Sequence, residues 1–295
     1  MIQTMFLCAG LGTRLLPLTR ELPKPMVPLG DRPMLGHLLD ALEAAGGRPR
    51  AVNTHHLPEE ISSYISSYNS SIHISHEDEL LGTAGGVFSA RDAFERAPLV
   101  VWNADILTRP RISALIHALE CAPLVLSVEL LAAGQGNVGL DADGRIVRLR
   151  QRSIGKEVSG GAYVGILALG ADAVDVLPTR GCLIGDVAIP WMEQGARIVG
   201  IAHDSPWSDV GSLRAYVDEN IRWLRQGGHG AHWIGPAATV ASTVELRSVV
   251  VGAGATIGGT GLLERVIVWP HAHCAAPLAN AVVTPEAGIV HLGLG

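Results

Sequence analysis

A short apolar run, Met5-Phe6-Leu7-Cys8, leads straight into Ala9-Gly10-Leu11-Gly12-Thr13-Arg14, and this junction constrains the fold more than any other stretch of the chain. The run reads as a buried strand. Gly10 and Gly12 let the backbone turn sharply and approach a ligand closely, and consecutive amides in such a turn form an anion-binding concavity. Arg14 adds a forked donor that holds two phosphate oxygens at once. Lys24 adds a compact charge, and Pro23 and Pro25 fix the backbone around it. A strand that ends in an anion-binding turn belongs at the carboxyl edge of an open α/β sheet, where such sheets bind ligands. Together these parts make a grip for a nucleoside triphosphate.

Two commoner glycine loops are excluded. The dinucleotide fingerprint needs a third glycine where this chain has Leu15, and no Gly-Lys-Ser/Thr string of the Walker type occurs anywhere. The segments that follow alternate between the two regular periods. Pro33 opens a helix with apolar Met34, Leu35, Leu38, Leu39 and Leu42, stopped at Gly46-Gly47. Ala51-Val52-Asn53 reads as a strand, Pro58 to Tyr68 as a helix, and Ser71 to His76 as a strand. The order β-α-β-α-β opens a doubly wound sheet. The glycine-rich loop Leu81-Gly82-Thr83-Ala84-Gly85-Gly86 then leads into a helix expected from Val87 to Phe94, and amides at a helix start suit a flat polar ring or a phosphate.

Pro98 to Trp102 is the most apolar run so far and ends in Asn103-Ala104-Asp105. A carboxylate at the end of a buried strand is costly unless it is paired or binds a cation. Magnesium favours one or two carboxylates with substrate phosphate oxygens and water, so Asp105 is a candidate metal ligand. Beyond it come a helix over 112–120, a strand over 123–129, and a hairpin turned at Asp143-Gly144. A strand of small residues at Ser159 to Ile166 follows, then a helix from Asp186 to Met192 despite Pro190, and a strand from Arg197 to Ile201. Trp207-Ser208-Asp209-Val210-Gly211 precedes a last helix through Leu213, Tyr216, Val217, Ile221 and Leu224, for which Ser212 or Asp209 is a candidate cap.

From His229 onward helix formers give way to Gly, Ala and Val, and a repeat emerges. Ile234-Gly235-Pro236-Ala237-Ala238-Thr239-Val240 aligns with Val251-Gly252-Ala253-Gly254-Ala255-Thr256-Ile257 at an offset of 17, and Val268-Trp269-Pro270-His271-Ala272-His273-Cys274 follows at 17 again. This is the hexapeptide rhythm of a parallel β-helix. The expectation is a domain over 1–228 and a short β-helix over 229–295. Three coils leave an exposed end that needs a cap or a second copy, which makes a homo-oligomer through the β-helix the expectation. His271 and His273 read as surface residues, since so few coils leave no cleft for an acyl carrier.

The net charge of −6 argues against nucleic acid or an anionic membrane as a partner. No segment approaches the ~18 uninterrupted apolar residues of a membrane helix. The start of the chain has no basic n-region, so no secretory signal is expected. Cys8, Cys121, Cys182 and Cys274 are widely spaced, which fits reduced thiols in a cytoplasm. Of the 22 basic residues only Lys24 and Lys156 are lysines, and one of them stands in the grip.

The run Gly10, Gly12, Thr13, Arg14, Pro17, Leu18, Thr19, Pro23, Lys24, Pro25 resembles the signature of the sugar-1-phosphate nucleotidyltransferase family, in its mannose-1-phosphate guanylyltransferase and N-acetylmuramate-1-phosphate uridylyltransferase branches. The resemblance covers residues 1 to about 228 and implies a Rossmann-like doubly wound mixed sheet. The implied reaction moves a nucleoside monophosphate from GTP or UTP to a sugar 1-phosphate. Arg14 and Lys24 become catalytic, and Leu7, Ala9, Gly10, Gly12, Thr13, Gly82, Thr83 and Gly85 become nucleotide-binding. Asp105 and Asp209, the latter in a Trp-x-Asp setting, become Mg²⁺ ligands. Asn103, Gly161 and Tyr163 shape the sugar pocket. Two departures stand out. Ala104 replaces the glycine of most relatives, and Arg150-Gln151-Arg152 stands where many carry Glu-Lys-Pro, so Lys156 or Arg150 takes over that lysine's contact with the sugar phosphate. The alternative reading of such a chain is a nucleotide-sugar sensor without activity, a role that tolerates loss of the charged residues retained here.

Overall fold

Strand Ile2–Leu7 is paired in parallel on both sides, with Gly47–Thr54 and with Leu99–Asn103. Leu99–Asn103 is apolar and buried up to its last residue, as a strand covered on both faces must be, whereas Gly47–Thr54 starts with exposed Arg48 and partly exposed Arg50 and is buried from Ala51 to Thr54. In the computed structural model, which describes residues 2–293, these strands are the centre of a ten-stranded mixed sheet. Its main path runs Arg152–Ser153, Ile146–Leu149, Val138–Leu140, Ser159–Leu169, Leu99–Asn103, Ile2–Leu7, Gly47–Thr54, His73–His76. Strand Ser159–Leu169 runs antiparallel to Leu99–Asn103 and also pairs with Leu124–Leu131, which carries Ile198–Ala202 in parallel on its far side. The core gathers Met5, Val101, Leu126 and Leu167 from adjacent strands. Fully buried Trp102 packs its ring 5.4 Å from Phe6 and donates its indole N–H to the Ile106 carbonyl.

The chain separates into two compact units. The first is Met1–Gly10 with Leu38–Trp207 and contains the whole ten-stranded sheet. The second is Leu11–His37 with Ser208–Gly295. It holds three 3₁₀ turns (Thr13–Leu15, Leu18–Arg20 and Lys24–Met26), helix Leu213–Gln226, and a C-terminal sheet. Ser212 caps that helix by accepting from the Ala215 amide at 3.2 Å. Its buried face, Tyr216, Val217, Asn220, Ile221 and Leu224, packs on strands Val244–Val251 and Thr256–Val268.

The C-terminal strands pair in parallel at the spacing of the sequence repeat. Val249 lies opposite Val266, and Thr239 opposite Thr256, which itself lies opposite His273. Each pair is one repeat of 17 apart. The register then slips between Gly259 and Leu263, so that Leu263 faces Leu278. Gly259 and Gly261 both take positive φ at that point (82° and 117°), a backbone only glycine adopts freely. The last strand, Gly288–His291, folds back antiparallel on His273–Thr284 and covers that edge.

Two expected helices differ in detail. The one expected from Val87 begins at Gly82, inside the glycine string, and ends at Ser89. Pro190 sits in the first turn of a short helix Ile189–Glu193 that follows a π-helical turn, Leu183–Ala188. Pro190 has no N–H to return to the preceding turn, and the backbone widens there instead. Among the described residues, no helix is long and apolar enough to cross a membrane.

Candidate functional site

In the first unit, the ends of three parallel strands converge on one buried polar network. The Cys8 amide donates to Asn53 Oδ1 at 2.7 Å, Asn53 Nδ2 donates to Glu77 Oε1 at 2.7 Å, and the other Glu77 oxygen accepts from the Leu81 amide at 2.9 Å. Glu77 and Asn53 are both buried. They fix the start of the Leu7–Gly10 turn to the start of helix Gly82–Ser89. The sequence reading missed both. The signal was available for Glu77, because it closes the alternating Ser71–His76 strand just as Asp105 closes the next one.

The glycines of the second loop serve packing. A Cβ on Gly82, whose φ is +76°, would lie 2.4 Å from the Gly181 carbonyl, and one on Gly85 would lie 2.6 Å from the Thr179 carbonyl. Backbone bonds lock the same contact, Ala84 N to Gly181 O and Gly181 N to Leu81 O, each 2.8 Å. The Thr83 hydroxyl accepts from the Leu183 amide at 2.7 Å. Gly10 is the opposite case, because a Cβ there meets no atom within 4 Å and open space remains beside the backbone.

A cavity of about 170 Å³ opens in this unit, with Thr83, Asn103, Asn137, Arg150, Tyr163 and Cys182 in its wall. Four of these carried expected roles: Thr83, Asn103, Tyr163 and, as the alternative to Lys156, Arg150. Gly161 is not in the wall; its missing Cβ makes room for Val128 Cγ1 and the Glu129 carbonyl. Lys156 is exposed and is also absent from the wall. Arg150 is the one charged residue among the lining side chains. It holds φ +54°, with its amide bonded to the Asn137 carbonyl at 2.7 Å and Nη2 lying 3.6 Å from Cys182 Sγ. Burial alone would raise the Cys182 thiol, yet the Gly185 and Ile184 amides, the Thr83 hydroxyl and the Arg150 charge together bring it below the ordinary thiol range. Burial pushes the Tyr163 hydroxyl up, and the charges of Cys182 and Asp105 add to it. The Cys8 thiol is likewise raised by burial and then by Asp105. The half-buried Asp105 carboxylate thus acts electrostatically on both the strand end at Cys8 and the cavity wall.

In the second unit the expected charges meet. Arg14 Nη1 lies 3.6 Å from Asp209 Oδ2, and Lys24 Nζ lies 3.9 Å from Asp209 Oδ1. Lys24 is buried, whereas the Asp209 side chain is 41% exposed. The sequence builds this cluster through two glycines. Gly12 takes φ +63°, and a Cβ on it would press on Thr19 at 2.7 Å and on Lys24 Cβ at 3.2 Å. A Cβ on Gly211 would fall 2.5 Å from Arg14 Nη1 and 2.7 Å from Asp209 Oδ1. The Thr19 hydroxyl donates to the Gly12 carbonyl at 3.0 Å and closes the turn. Helix capping falls to Ser212, which leaves the Asp209 carboxylate facing the two cations.

Asp105 and Asp209 are both hard anionic oxygen donors with exposed surface, the chemistry that suits a divalent cation completing its shell with water and phosphate oxygens. Asp209 faces two cations that would otherwise meet phosphate. Each carboxylate, taken by itself, is a donor that suits a divalent metal ion.

A family model for nucleotidyl transferases matches residues 3–226 of the chain. The chain is 29% identical over 273 residues to the mannose-1-phosphate guanyltransferase of Schizosaccharomyces pombe, an alignment covering 87% of this chain and 73% of that protein. It is 26% identical over 280 residues to the probable mannose-1-phosphate guanylyltransferase 3 of Oryza sativa subsp. japonica, covering 87% and 75%. Among solved structures, HddC of Yersinia pseudotuberculosis complexed with GMP-PN matches with a TM-score of 0.63 at 20% identity, over 76% of this chain and all of that one. Apo UDP-glucose pyrophosphorylase matches with a TM-score of 0.61 at 18% identity, over 77% and all of that chain. At those identities the structural likeness is one of fold. The chain belongs to the nucleotidyl transferase family. It is a sugar-1-phosphate nucleotidyltransferase, which joins an NTP and a sugar 1-phosphate into an NDP-sugar with release of pyrophosphate. Enzymes of this family use a divalent metal ion.

Proposed function

We propose that the substrates are GTP and mannose 1-phosphate, with Mg²⁺ as the metal. The pairing of Arg14 and Lys24 on the Asp209 carboxylate carries the mechanistic part of this reading, and the similarity to mannose-1-phosphate guanylyltransferases over 87% of the chain supports the choice of substrates. A phosphate oxygen of the sugar 1-phosphate attacks the α-phosphorus of the nucleotide. The new P–O bond forms in line with the breaking bond, and pyrophosphate departs. The attacking oxygen is already anionic, so no general base is needed, and the protein's work is positioning and charge neutralisation. Arg14 and the amides of Gly10, Gly12 and Thr13 grip the departing pyrophosphate. Lys24 stabilises charge growing on the α-phosphate. Asp105 and Asp209 would hold Mg²⁺, which would supply neutralisation of phosphate charge when bound. Leu7, Ala9, Gly82, Thr83 and Gly85 shape the nucleotide site, and Asn103, Gly161 and Tyr163 the sugar site. Of the two candidate cations for the sugar phosphate, Arg150 is preferred over Lys156, because Arg150 stands in the cavity wall.

The proposal extends to organisation. The catalytic domain is residues 1–228, in keeping with a family match that ends at 226. Residues 229–295, described as far as 293, form a short parallel β-helix whose coils stack at the 17-residue repeat, and a homo-oligomer forms through a surface of it other than the edge that strand Gly288–His291 covers. Unpaired cysteines and phosphorylated substrates fit a cytoplasmic location. Pyrophosphate release measured over four NTPs and a set of sugar 1-phosphates tests the reading. GTP with mannose 1-phosphate is expected to give the highest kcat/KM. Preference for UTP with a glucose- or N-acetylmuramate-type phosphate would overturn the substrates, and no release with any pair would overturn the reaction.

A further inference from the structure

The segment that carries Lys24 is buried from Pro23 to Val27 and lies in no long helix or strand. Pro23 and Pro25 remove two backbone donors, and Lys24–Met26 is a single 3₁₀ turn. One side of it borders a cavity of about 630 Å³, lined by Leu22, Met26, Pro28, Trp233, Pro236 and Pro270. Hydrogen bonds from the C-terminal part of the same unit tie it on both sides of Lys24. The Glu21 carboxylate, three residues before Lys24, accepts from the Thr284 hydroxyl, from the Ala287 amide at 2.8 Å and from the Glu286 amide at 3.3 Å. Beyond Lys24, the Pro28 carbonyl accepts from Tyr216 Oη at 2.5 Å, and Tyr216 Oη accepts from Trp269 Nε1 at 2.9 Å. The Gly30 amide donates to Oδ1 of fully buried Asn220 at 2.9 Å.

Thr284 is the buried last residue of strand His273–Thr284, and Glu286 and Ala287 form the turn into the closing strand Gly288–His291. The Glu21 carboxylate therefore ties the catalytic segment to the far end of the chain, some 260 residues away in sequence.

We propose that the C-terminal hairpin is a working part of the catalytic apparatus, and that Glu21 and Thr284 are positioning residues that hold Lys24 in register with Asp209. The inference rests on the reaction assigned above, and goes beyond it by giving the repeat region a role in turnover. A charge-stabilising group must be placed to within about 1 Å, and a displacement of that size costs on the order of 10²-fold in rate. The contact belongs to the second unit and shares no residue with the wall of the sugar cavity, so loosening it lowers kcat and spares the KM of the sugar phosphate.

Four variants test this: Glu21→Ala, Thr284→Val, Thr284→Ser and Thr243→Val. The Thr243 hydroxyl donates to the Gly259 carbonyl at 2.7 Å, so its loss removes a hydrogen bond from the same sheet without touching the loop. Glu21→Ala and Thr284→Val are expected to lower kcat roughly 10- to 100-fold, with the sugar-phosphate KM within about 2-fold of wild type. Thr284→Ser should restore turnover, and Thr243→Val should keep it. Hydrogen exchange supplies a readout that does not need the reaction: amides of residues 13–26 should exchange faster in Glu21→Ala and Thr284→Val, and at the wild-type rate in Thr243→Val. Unchanged exchange there in folded Glu21→Ala overturns the inference, as does an equal loss of kcat in Thr243→Val. Absence of pyrophosphate release by the wild type would overturn the assigned reaction alone, and the exchange result would still decide the positioning claim.

Discussion

The cavity of the first unit and the charge cluster of the second are built from different materials. The cavity wall is mainly hydroxyl, amide, thiol and apolar groups, with Arg150 as its one charged member. It is held by a buried neutral-and-acid network through Asn53 and Glu77, and by glycines that let backbone pack on backbone. The cluster has two cations, each on a short 3₁₀ turn, on one carboxylate that ends the two-residue strand Ser208–Asp209, and its glycines make room for charged side chains. Directional neutral groups in a fixed wall discriminate between ligands of similar charge. Concentrated charge on a tight turn meets phosphate whatever it is attached to. The comparison teaches a division of labour, with recognition carried by the cavity of the first unit and charge chemistry by the turns of the second.

The largest effect that could break this comparison lies in the cluster. Lys24→Ala is expected to lower kcat at least ~10²-fold, the scale of losing one charge-stabilising donor, while both KM values change little. A variant with normal kcat and a raised KM would make Lys24 a binding residue instead. The glycines sharpen the contrast. Gly82→Ala should destabilise the fold by about 1–3 kcal/mol through overpacking on the Gly181 carbonyl, seen as a lower melting temperature. Gly10→Ala should leave melting unchanged, since its Cβ meets no protein atom, and should weaken nucleotide binding. If both glycines changed stability alike, the distinction between packing glycine and ligand glycine would be lost.

Next in size is Arg150→Ala. Loss of a charge-assisted hydrogen bond of about 1.5–3 kcal/mol should raise the sugar-phosphate KM roughly 10- to 100-fold, with kcat nearly kept, and Lys156→Ala should do neither. Smallest is a difference in thiol reactivity. The Cys182 pKa lies below the ordinary thiol value, so its thiolate forms, and alkylation begins, at lower pH than for a usual cysteine. Cys8 and Cys274, both raised chiefly by burial, should react only at higher pH. Mass-spectrometric labelling against pH checks this order, and a sugar phosphate filling the cavity should protect Cys182.

Much of this was readable before folding because it is local. The strand-turn junction at Leu7–Arg14 needs only neighbours in sequence, and the 17-residue repeat reappears directly as strand register. What escaped depends on contacts between distant segments. Nothing near Cys182 in sequence announces that Arg150 and Thr83 will surround it. The glycines at Gly82 and Gly85 read as nucleotide-binding from sequence, and only the approach of residues 179–181 reveals that they also pack backbone on backbone. The early start of that helix has the same cause, since Gly82 is tolerated at its head by the segment it packs on. The grouping of Leu11–His37 with the C-terminal sheet was equally hidden, because its hydrogen bonds join residues such as Glu21 and Thr284.

The most direct test of the account is pyrophosphate release from GTP and mannose 1-phosphate in the presence of Mg²⁺, comparing the wild type with Asp209→Ala. A carboxylate that faces Arg14 and Lys24 and helps hold the cation should, on removal, cost at least ~10²-fold in kcat while the melting temperature stays close to that of the wild type. Turnover near the wild-type value in the folded Asp209→Ala variant would contradict the charge cluster as the seat of the chemistry.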